Sequence, residues 1–463
     1  MKRLVVVSNR VGPIRDSARA GGLAVALVDA LKDRGGLWFG WTGKISEKGT
    51  HGPVHQKAEG KVRLATIDLT RADYDEYYSG YANSTLWPVF HLRLDLANFD
   101  HRFEDGYRRV NRRFAAQLAP LLKPDDVIWV HDYHLIPLGA ELRAMGWQGP
   151  IGFFLHIPFP ASEILKALPH HDWLARALSA YDLVGLQTRA DRNALVRYLE
   201  EEDMGEHIED GRLRAFGRKL SVQAFPIGID AGTFARFATS ADARRQIGRL
   251  RDLLGKRLQI IGVDRLDYSK GVPNRFRAFG RMLEDYPDNR GQISFLQILP
   301  PSRENVDAYA EIKADLEALS GEINGRFGDY DWTPIRYINR AFARRSLAGF
   351  YRASRIGLVT PLRDGMNLVA KEYIAAQDPA NPGVLILSQF AGAAEQLRDA
   401  LIVNPYAEED MAEALQRAVH MPLKERTRRW ESLYHVVESE DVVKWREDFL
   451  AALEAAHNKA RRP

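Results

Sequence analysis

The stretch TPLRDGMNLVAKEYIAAQ, residues 360–377, has the order of a strand end, a tight turn and a helix. An apolar, β-branched run at 356–360 leads into it, and Asp364 and Gly365 form the predicted turn. A helix that starts directly after a strand is the repeating unit of a parallel sheet. Its first free amides would face an anion bound beyond the strand. The stretch therefore predicts an α/β fold that binds ligands at the carboxyl ends of its strands.

Short apolar strands alternate with amphipathic helices on both sides of this stretch, which indicates an α/β protein with parallel sheets. Two successive series of strands predict two Rossmann-like lobes, with the active site in a cleft between them. The predicted strands of the first series are Leu4–Ser8, Val62–Leu69, Val127–His131, Ile151–Leu155, Leu183–Gln187 and Val222–Phe225. Its predicted helices are Leu23–Arg34, Glu104–Leu121, Leu135–Met145 and Asp191–Glu200. The predicted strands of the second series are Gln259–Val263, Ser294–Leu299, Ile335–Ile338, Ile356–Thr360, Val384–Leu387 and Leu401–Val403.

The segment FPIGIDAGTF, residues 225–234, contains the proline and glycines expected where the chain crosses between lobes. We predict an N-terminal lobe of residues 1–232 and a C-terminal lobe of residues 233–441. A final charged helix, at about 442–463, carries an apolar stripe at helical spacing, and we expect this stripe to complete the N-terminal lobe. The stripe consists of Val442, Trp445, Phe449 and Leu453.

The composition excludes several classes of function. The chain of 463 residues is 45% hydrophobic and 27% charged, as in ordinary globular proteins, and it contains no cysteine. Disulfides, thiolate nucleophiles and cysteine metal sites are therefore excluded. The net charge of +4 is not a nucleic-acid signature, and the apolar run Leu4–Val7 is too short for a signal peptide or a membrane span. We expect a cytoplasmic protein with neither nucleic-acid nor membrane partners.

The loop after the first strand has features suited to a phosphate. Gly21 and Gly22 precede a helix, where free amides let an anion come close to the backbone. Arg10, just past the strand, can bind phosphate through two hydrogen bonds. A structural glycine pair is the alternative, because the spacing matches neither GxGxxG nor a P-loop.

Polar side chains also follow later strands of the first series. His131, Asp132 and His134 crowd one strand end. A metal site is conceivable there, but no further ligands are recognisable nearby, and a hydrogen bond from a sugar hydroxyl to Asp132 is the interpretation we prefer. His156 ends another strand, either as a site residue or as a structural histidine.

Cations at strand ends of the second series suit a diphosphate. Arg265 and Lys270 lie in one strand–helix loop and would stabilise a departing nucleoside diphosphate without a metal, with surface ion pairs as the alternative. Arg303 is a third cation at a strand end. Glu372 is placed to bind a ribose diol. Nothing singles out Asp364 and Glu372 as a glycosidase pair, and the DYD triplets at 73–75 and 329–331 are weak metal candidates.

A series of longer strings occurs in the order VVVSNR, AGGLA, GGLWFGW, DEYY, LWPVFH, VHDYHL, FFLHIPFP, RLDYSKG, TPLRDGMNLVAKEY and LSQFAGA, from Leu4 to about Asn404. As a set they resemble the trehalose-6-phosphate synthases. The resemblance implies a two-lobed glycosyltransferase of the GT-B type that moves glucose from a nucleotide sugar, normally UDP-glucose, to glucose 6-phosphate with retention of the α configuration. It also implies that no metal or other cofactor is required.

The resemblance assigns roles to individual residues, with His156 contacting the transferred glucose. The implied catalytic residues are Asp132, His156, Arg265, Lys270 and Asp364. The implied glucose 6-phosphate residues are Arg10, Trp41, Tyr78, Trp87, Asp132 and Arg303. The implied UDP-glucose residues are Gly21, Gly22, His156, Arg265, Lys270, Phe342, Asp364, Gly365, Met366, Asn367, Leu368, Val369, Ala370, Lys371 and Glu372.

The implied mechanism is front-face attack, in which the acceptor hydroxyl enters on the side from which the diphosphate leaves and a phosphate oxygen takes its proton. Three alternatives stay open: a donor such as ADP- or GDP-glucose, an acceptor such as glycerol 3-phosphate, and an inactive sugar-phosphate-binding regulator. The regulator predicts losses among Arg265, Lys270, Asp364 and Glu372, and all four are present. The expected partners are the small-molecule substrates, with a homodimer or homotetramer left open.

Overall fold

The structure, a computed structural model, describes residues 2–12, 27–28, 31, 35–46, 52–208, 212–300 and 307–460. The chain divides into unit 1, residues 1–226 and 443–463, and unit 2, residues 227–442. Each unit contains its own largely parallel sheet flanked by helices, so the predicted α/β class with two Rossmann-like units is confirmed. The predicted boundary followed residue 232, whereas the structure divides the chain after residue 226.

Unit 1 is built on a sheet in which the described strands have the order β3-β4-β2-β1-β5-β6-β7-β10-β9-β8. The strands from β4 to β10 in this order are parallel, while β3, β8 and β9 pair in antiparallel fashion at the two edges. The central strands are apolar and buried because helices cover both faces of a parallel sheet. The strands are β1 Leu4–Arg10, β2 Gly36–Ile45, β3 His55–Glu59, β4 Val62–Leu69, β5 Val127–His131, β6 Ile151–Phe154, β7 Leu183–Leu186, β8 Gly205–His207, β9 Leu213–Ala215 and β10 Arg218–Ala224.

The helices of unit 1 begin at side-chain caps where the sequence offers them. Asp100 caps the helix that starts at His101, and Thr188 caps the one that starts at Arg189. The α-helices are α1 Arg71–Asp73, α2 Trp87–Phe90, α3 His101–Leu118, α4 Leu138–Ala144, α5 Ser162–Leu165, α6 His171–Leu178 and α7 Arg189–Glu201. Short 3₁₀ turns lie at Leu94–Leu96, Ala119–Leu121 and Tyr133–Leu135.

A π-helix at Tyr74–Leu86 joins α1 to α2, and no helix was predicted there. Its wider turn is supported by side chains that bond carbonyls five residues back: Asn83 donates to the Tyr78 carbonyl at 2.7 Å, and Ser84 donates to the Ser79 carbonyl at 2.7 Å. Tyr77 donates to Asn9 at the end of β1 at 2.8 Å. Segments of this kind are uncommon and concentrate at functional sites.

Unit 1 also includes the helix that follows unit 2 in the chain, α16, Val442–Ala460. The Phe449 ring stacks on Trp129 of β5, with 4.7 Å between ring centroids. Gly152 of β6 and Gly185 of β7 leave room for it, because a Cβ at either position would lie within 2.8 Å of the Phe449 ring. The apolar stripe of α16 is thus part of the core of unit 1.

Unit 2 contains a fully parallel sheet with the order β13-β12-β11-β14-β15-β16 among the described strands. Phe276, Phe279 and Phe295 lie in its core with the strand residues Ile260 and Ile356. The strands are β11 Leu258–Val263, β12 Ile293–Ile298, β13 Ile335–Ile338, β14 Ile356–Val359, β15 Val384–Ser388 and β16 Leu401–Val403. The helices are α8 Ala231–Ala238, α9 Ala241–Leu254, α10 Val272–Asp285, α11 Asp307–Phe327, α12 Arg344–Ala353, α13 Leu368–Ala376, α14 Glu408–His420 and α15 Leu423–Ser439, with 3₁₀ turns at Tyr268–Lys270, Pro287–Asn289 and Gly392–Glu395.

Each sheet has one point where the direction of strand addition reverses. In unit 1 this point lies between β1 and β5, and in unit 2 it lies between β11 and β14. Loops that leave the carboxyl ends of two such strands diverge and form a crevice, which is where open parallel sheets bind ligands. The loops after these four strands are therefore where a site is expected in each unit. No described helix has both the length and the apolar character needed to cross a membrane.

Candidate active site

In unit 1, the aromatic residues expected to contact a sugar lie in one connected cluster. The Trp41 and Tyr78 rings have centroids 5.4 Å apart, and Tyr78 stacks on His134 at 5.9 Å with an angle of 12° between the planes. Trp87 lies 5.6 Å from Tyr133, whose ring is 4.0 Å from that of His134. The β2 strand, the π-helix, α2 and the loop after β5 bring these rings together. Trp41 and Trp87 are buried, whereas Tyr78 is partly exposed and offers a face on which a sugar ring can stack.

Arg10 lies beside this cluster at the end of β1. Its backbone pairs with Trp41 in the sheet register, and its side chain is exposed. Gly43 has a φ of +89°, and a Cβ there would lie 2.5 Å from the Arg10 guanidinium, so only glycine leaves this space. The exposed guanidinium is able to bind the phosphate of a sugar phosphate.

Asp132 follows β5 in a backbone conformation that is strained for any residue other than glycine. Its φ is +76° and its ψ is 164°. Such a conformation costs about 1–3 kcal/mol and persists only where the surroundings hold it. The amide of Asp132 donates to the Phe154 carbonyl at 2.8 Å, and its Oδ1 accepts the His156 amide at 3.2 Å. This backbone conformation directs the Asp132 carboxylate toward the His156 amide, just after the end of β6.

We predict that Asp132→Gly and Asp132→Ala both abolish the function of the carboxylate, but that the glycine variant is more stable. Glycine removes the strain, whereas alanine retains it, so the thermal unfolding midpoint of unit 1 should be about 2–12 °C higher for Asp132→Gly. The exposed helical residue Asp172 of α6 is the matched control, since alanine should there be the more stable replacement. Equal midpoints for the two Asp132 variants would argue against the strain.

His156 follows β6 and is bonded through both ring nitrogens. Its Nε2 lies 3.1 Å from Nδ1 of His131, and its Nδ1 lies 3.4 Å from Nε2 of Gln187. Burial lowers the pKa of His156 to about 3 and the pKa of His131 well below its usual range, the latter also because of the neighbouring His156. Both imidazoles are therefore neutral near pH 7.

In unit 2, Lys270 and Asp364 form an ion pair at the ends of β11 and β14. Lys270 Nζ lies 2.6 Å from Asp364 Oδ2, and Asn367 Nδ2 donates to the same oxygen at 3.0 Å. The Leu362 amide donates to the Ser269 carbonyl at 2.8 Å, which ties the two loops together. Asn367 has a φ of +74° and precedes α13, so a second strained residue other than glycine lies at a candidate site.

A fully buried arginine, Arg275 of α10, connects the same two loops. Its guanidinium bonds Asp264 after β11, Thr360 Oγ1 after β14 at 2.9 Å and the Lys270 carbonyl at 2.9 Å. Burial raises the pKa of Asp264, and the cations Arg275 and Lys270 oppose that shift. Arg275 thus fixes the backbone that presents Lys270, and Arg265, with its exposed side chain, lies in the same loop.

Glu372 lies one turn into α13, with only 12% of its side chain exposed, next to Arg344 at 3.5 Å. Burial raises the pKa of Glu372, while Arg344 and the Tyr351 hydroxyl counteract this. The Phe342 ring packs edge-on against Phe350 at 5.0 Å, and the Arg340 guanidinium lies 4.7 Å from its centroid. A carboxylate acceptor and an aromatic face are thus available for a ribose and a base.

Lys371 points into unit 2 and is fully buried. Its Nζ donates to the Ile227 carbonyl at 2.8 Å and to Gln396 Oε1 at 2.7 Å. Burial lowers its pKa to about 7, and Glu440 opposes the shift. Within the stretch 368–372, the ammonium of Lys371 therefore supports the fold of the loop region.

The structure brings most of the predicted site residues to two strand-end clusters, one in each unit. Gly21, Gly22 and Arg303 lie outside the described residues. Within the described ranges, no three His, Asp or Glu side chains are grouped as metal ligands. Sequence reasoning missed Arg275, Asp264 and Arg344. The available signal for Arg275 was its position on the apolar face of α10, in register with Val272, Phe276 and Phe279.

Comparison with known proteins places these features in a family. The sequence profile of glycosyltransferase family 20 matches residues 6–455. A trehalose-6-phosphate synthase of Sinorhizobium fredii (strain NBRC 101917 / NGR234) is 50% identical over 463 residues, which cover 99% of this chain and 100% of the relative. Two crystal structures of UDP-forming alpha,alpha-trehalose-phosphate synthases are each 51% identical. The one from Burkholderia vietnamiensis has a TM-score of 0.97 and covers 100% of this chain and 99% of its own. The one from Burkholderia xenovorans, in complex with glucose-6-phosphate, has a TM-score of 0.94 and covers 98% of this chain and 100% of its own.

Proposed function

The chain belongs to glycosyltransferase family 20, and from this premise we propose that it transfers glucose from UDP-glucose to glucose 6-phosphate with retention of configuration, giving trehalose 6-phosphate and UDP. The observation that carries the proposal is the match over nearly the whole chain to relatives described as UDP-forming trehalose-phosphate synthases. The two strand-end clusters supply the chemical groups that such a transfer needs.

We propose that unit 1 binds glucose 6-phosphate. The exposed Arg10 guanidinium, next to Gly43, supplies charge for the phosphate. Arg303, in the sequence range of unit 2, is proposed as a second phosphate ligand. The connected rings of Trp41, Tyr78 and Trp87 supply apolar faces for the hexose. The Asp132 carboxylate accepts a hydrogen bond from a sugar hydroxyl. The support for this assignment is the proximity of the groups and the glucose 6-phosphate present in the relative from Burkholderia xenovorans.

We propose that unit 2 binds the UDP part of the donor. Lys270 and Arg265 balance the diphosphate charge, and the amides at the start of α13 add the positive end of a helix dipole. Glu372 accepts the ribose hydroxyls, and Phe342 contacts the base. Glycine pair Gly21-Gly22 and His156 of unit 1 are proposed to contact the donor as well, with His156 at the transferred glucose.

Charge stabilisation is the central element of the proposed mechanism. As the glycosidic bond breaks, negative charge develops on the departing diphosphate, and preorganised cations lower the energy of that state. Asp364 and Asn367 hold Lys270 in position beforehand, so no rearrangement of its ammonium is needed. In the proposed front-face route, the acceptor hydroxyl attacks on the leaving-group side and passes its proton to a phosphate oxygen. We propose that these cations act without a metal.

The test is release of nucleoside diphosphate by purified protein, with glucose 6-phosphate or glycerol 3-phosphate as acceptor and UDP-, GDP- or ADP-glucose as donor. We expect UDP release only with UDP-glucose and glucose 6-phosphate together, unchanged by EDTA, with trehalose 6-phosphate as product. Release from another donor or to another acceptor would replace the substrates named here. If no diphosphate is released with any donor and acceptor, the result would support an inactive sugar-phosphate-binding regulator. Inhibition by EDTA would refute the metal-free mechanism.

We further propose that the protein is located in the cytoplasm. We also propose that it forms a homodimer or a homotetramer. Light scattering of the purified chain measures the assembly, and cell fractionation measures the location.

A further inference from the structure

Three polar side chains form a row along the carboxyl edge of the unit 1 sheet. His131 ends β5, His156 follows β6 and Gln187 follows β7, and these strands are neighbours in the sheet. The two imidazoles are joined by a contact of 3.1 Å, and their rings stack with centroids 5.4 Å apart. The function proposed above uses only the middle member of the row.

The row restricts which nitrogen of His156 carries the proton. A hydrogen bond between two neutral imidazoles needs one N–H and one lone pair, so the rings have complementary tautomers. The Gln187 amide nitrogen can only donate, so Nδ1 of His156 accepts from it. The proton of His156 is then on Nε2 and is donated to Nδ1 of His131. The remaining proton of His131 is on its own Nε2.

The surroundings of His131 favour this single arrangement. Its side chain is fully buried, with the ring centroid 4.5 Å from that of Trp129 and 6.4 Å from that of Trp445. Its Nε2 is buried and has no hydrogen-bond partner within the part of the chain that the structure describes. Aromatic rings can accept a weak hydrogen bond from an N–H but repel a lone pair, which favours the proton at this nitrogen.

We propose that His131 is a positioning residue that fixes the ring orientation and the Nε2–H tautomer of His156. The backbone gives this a direct consequence, because the His156 amide is bonded to Asp132, the residue after His131. Two successive residues at the end of β5 therefore hold His156, His131 through its ring and Asp132 through its carboxylate. The kinetic consequence rests on the proposed function, whereas the tautomer does not.

Two substitutions separate the hydrogen bond from the packing of the ring. His131→Phe retains an aromatic ring among Trp129 and Trp445 but has no acceptor for His156. His131→Asn loses the ring. Its side-chain carbonyl oxygen, however, lies near the position of the His131 Nδ1 and can accept the hydrogen bond from the His156 Nε2–H. We expect His131→Phe to lower kcat by about 10- to 100-fold with a small change in the KM for glucose 6-phosphate. His131→Asn should recover most of that loss.

A matched control is His171→Phe, since His171 of α6 also bonds through Nδ1, to the Tyr198 hydroxyl, and lies outside the proposed machinery. We expect its kcat to equal that of the unaltered protein. ¹⁵N NMR of histidine-labelled protein gives the direct readout, with the His156 signals identified by their loss in His156→Gln. We expect a single tautomer protonated at Nε2, retained in His131→Asn and replaced by a mixture in His131→Phe.

Wild-type kcat and an unchanged His156 tautomer in His131→Phe would overturn the inference. An equal loss of kcat in His131→Asn and His131→Phe would also overturn it, because packing would then be the cause. If the unaltered protein forms no product from UDP-glucose and glucose 6-phosphate, the proposed function fails, and the NMR result still decides the role of His131.

Discussion

Lys270→Ala is expected to lower kcat for trehalose 6-phosphate formation by about 10²- to 10³-fold, the effect of removing one preorganised charge from a developing anion. The ammonium is nearly buried and is held by Asp364 at 2.6 Å, so it is in place before the diphosphate charge develops. In the variant, water molecules in the place of the ammonium would have to reorient as the diphosphate charge develops. Steady-state kinetics with both substrates saturating measures the effect.

The fold should withstand this substitution, because Asp364 retains its hydrogen bond from Asn367. Lys313→Ala is the matched control in unit 2, since Lys313 is exposed and its partner Glu317 lies 3.9 Å away on the same helix. We expect wild-type kinetics for the control. A Lys270→Ala variant within threefold of the wild-type kcat would remove Lys270 from the proposed mechanism.

Arg275→Met is expected to destabilise unit 2 by about 3–5 kcal/mol, because it leaves the buried Asp264 carboxylate without its partner. Such a loss lowers the unfolding midpoint by roughly 6–20 °C for a unit of this size. Differential scanning calorimetry would show it as a shift of the unit 2 transition. Catalytic activity at low temperature should also fall, since Arg275 bonds the Lys270 carbonyl.

Arg281→Met is the control in the same helix, α10. Arg281 is 45% exposed and pairs with Asp285 across one turn, a surface ion pair that contributes little to stability. Adding Asp264→Asn to Arg275→Met should recover part of the lost stability, because the unpaired charge is then removed. A double variant no more stable than Arg275→Met alone would refute the assignment of the loss to that charge.

Strand ends were the most predictable part of the fold. The predicted strands Val62–Leu69, Val127–His131, Ile335–Ile338 and Leu401–Val403 match the structure residue for residue. Short apolar, β-branched runs bounded by polar residues gave the signal. Val127–His131 is buried along its whole length, whereas the other three strands are only partly buried. The β2 strand was missed, since its sequence GLWFGWTGKI contains three glycines and lacks that pattern. Most of the predicted helix Leu23–Arg34 lies outside the described residues.

The π-helix at 74–86 could not be predicted from helical periodicity, because its turns repeat at a wider spacing than 3.6 residues. It is determined by contacts distant in sequence, among them Tyr77 with Asn9, and Gly80, where a Cβ would clash with Phe103. This helix carries Tyr78 into the unit 1 cluster. Motif resemblance therefore identified Tyr78 as a site residue without revealing the element that positions it.

Lys270 and Asp364 were predicted as site residues, but the sequence did not reveal Arg275, which links their loops. The difference is physical: residues in strand-end loops are located by topology alone, whereas a buried charge is recognised only once the face of its helix is known to be internal. His131 shows the same limit. Its motif suggested a metal or sugar contact, and the structure places its ring beside Trp129 and His156.

The placement of α16 bears on how the chain folds as it is synthesised. Phe449 fills the space left by Gly152 and Gly185, yet it emerges from the ribosome only after all of unit 2. All strands of the unit 1 sheet are therefore synthesised long before the last residues of its core. Until then, the aromatic surface of the sheet around Trp129 lacks the helix that covers it. Domains usually fold in the order of their synthesis. Here we expect unit 2 to complete its folding before unit 1. We expect chaperones to bind the incompletely folded unit 1 of the nascent chain.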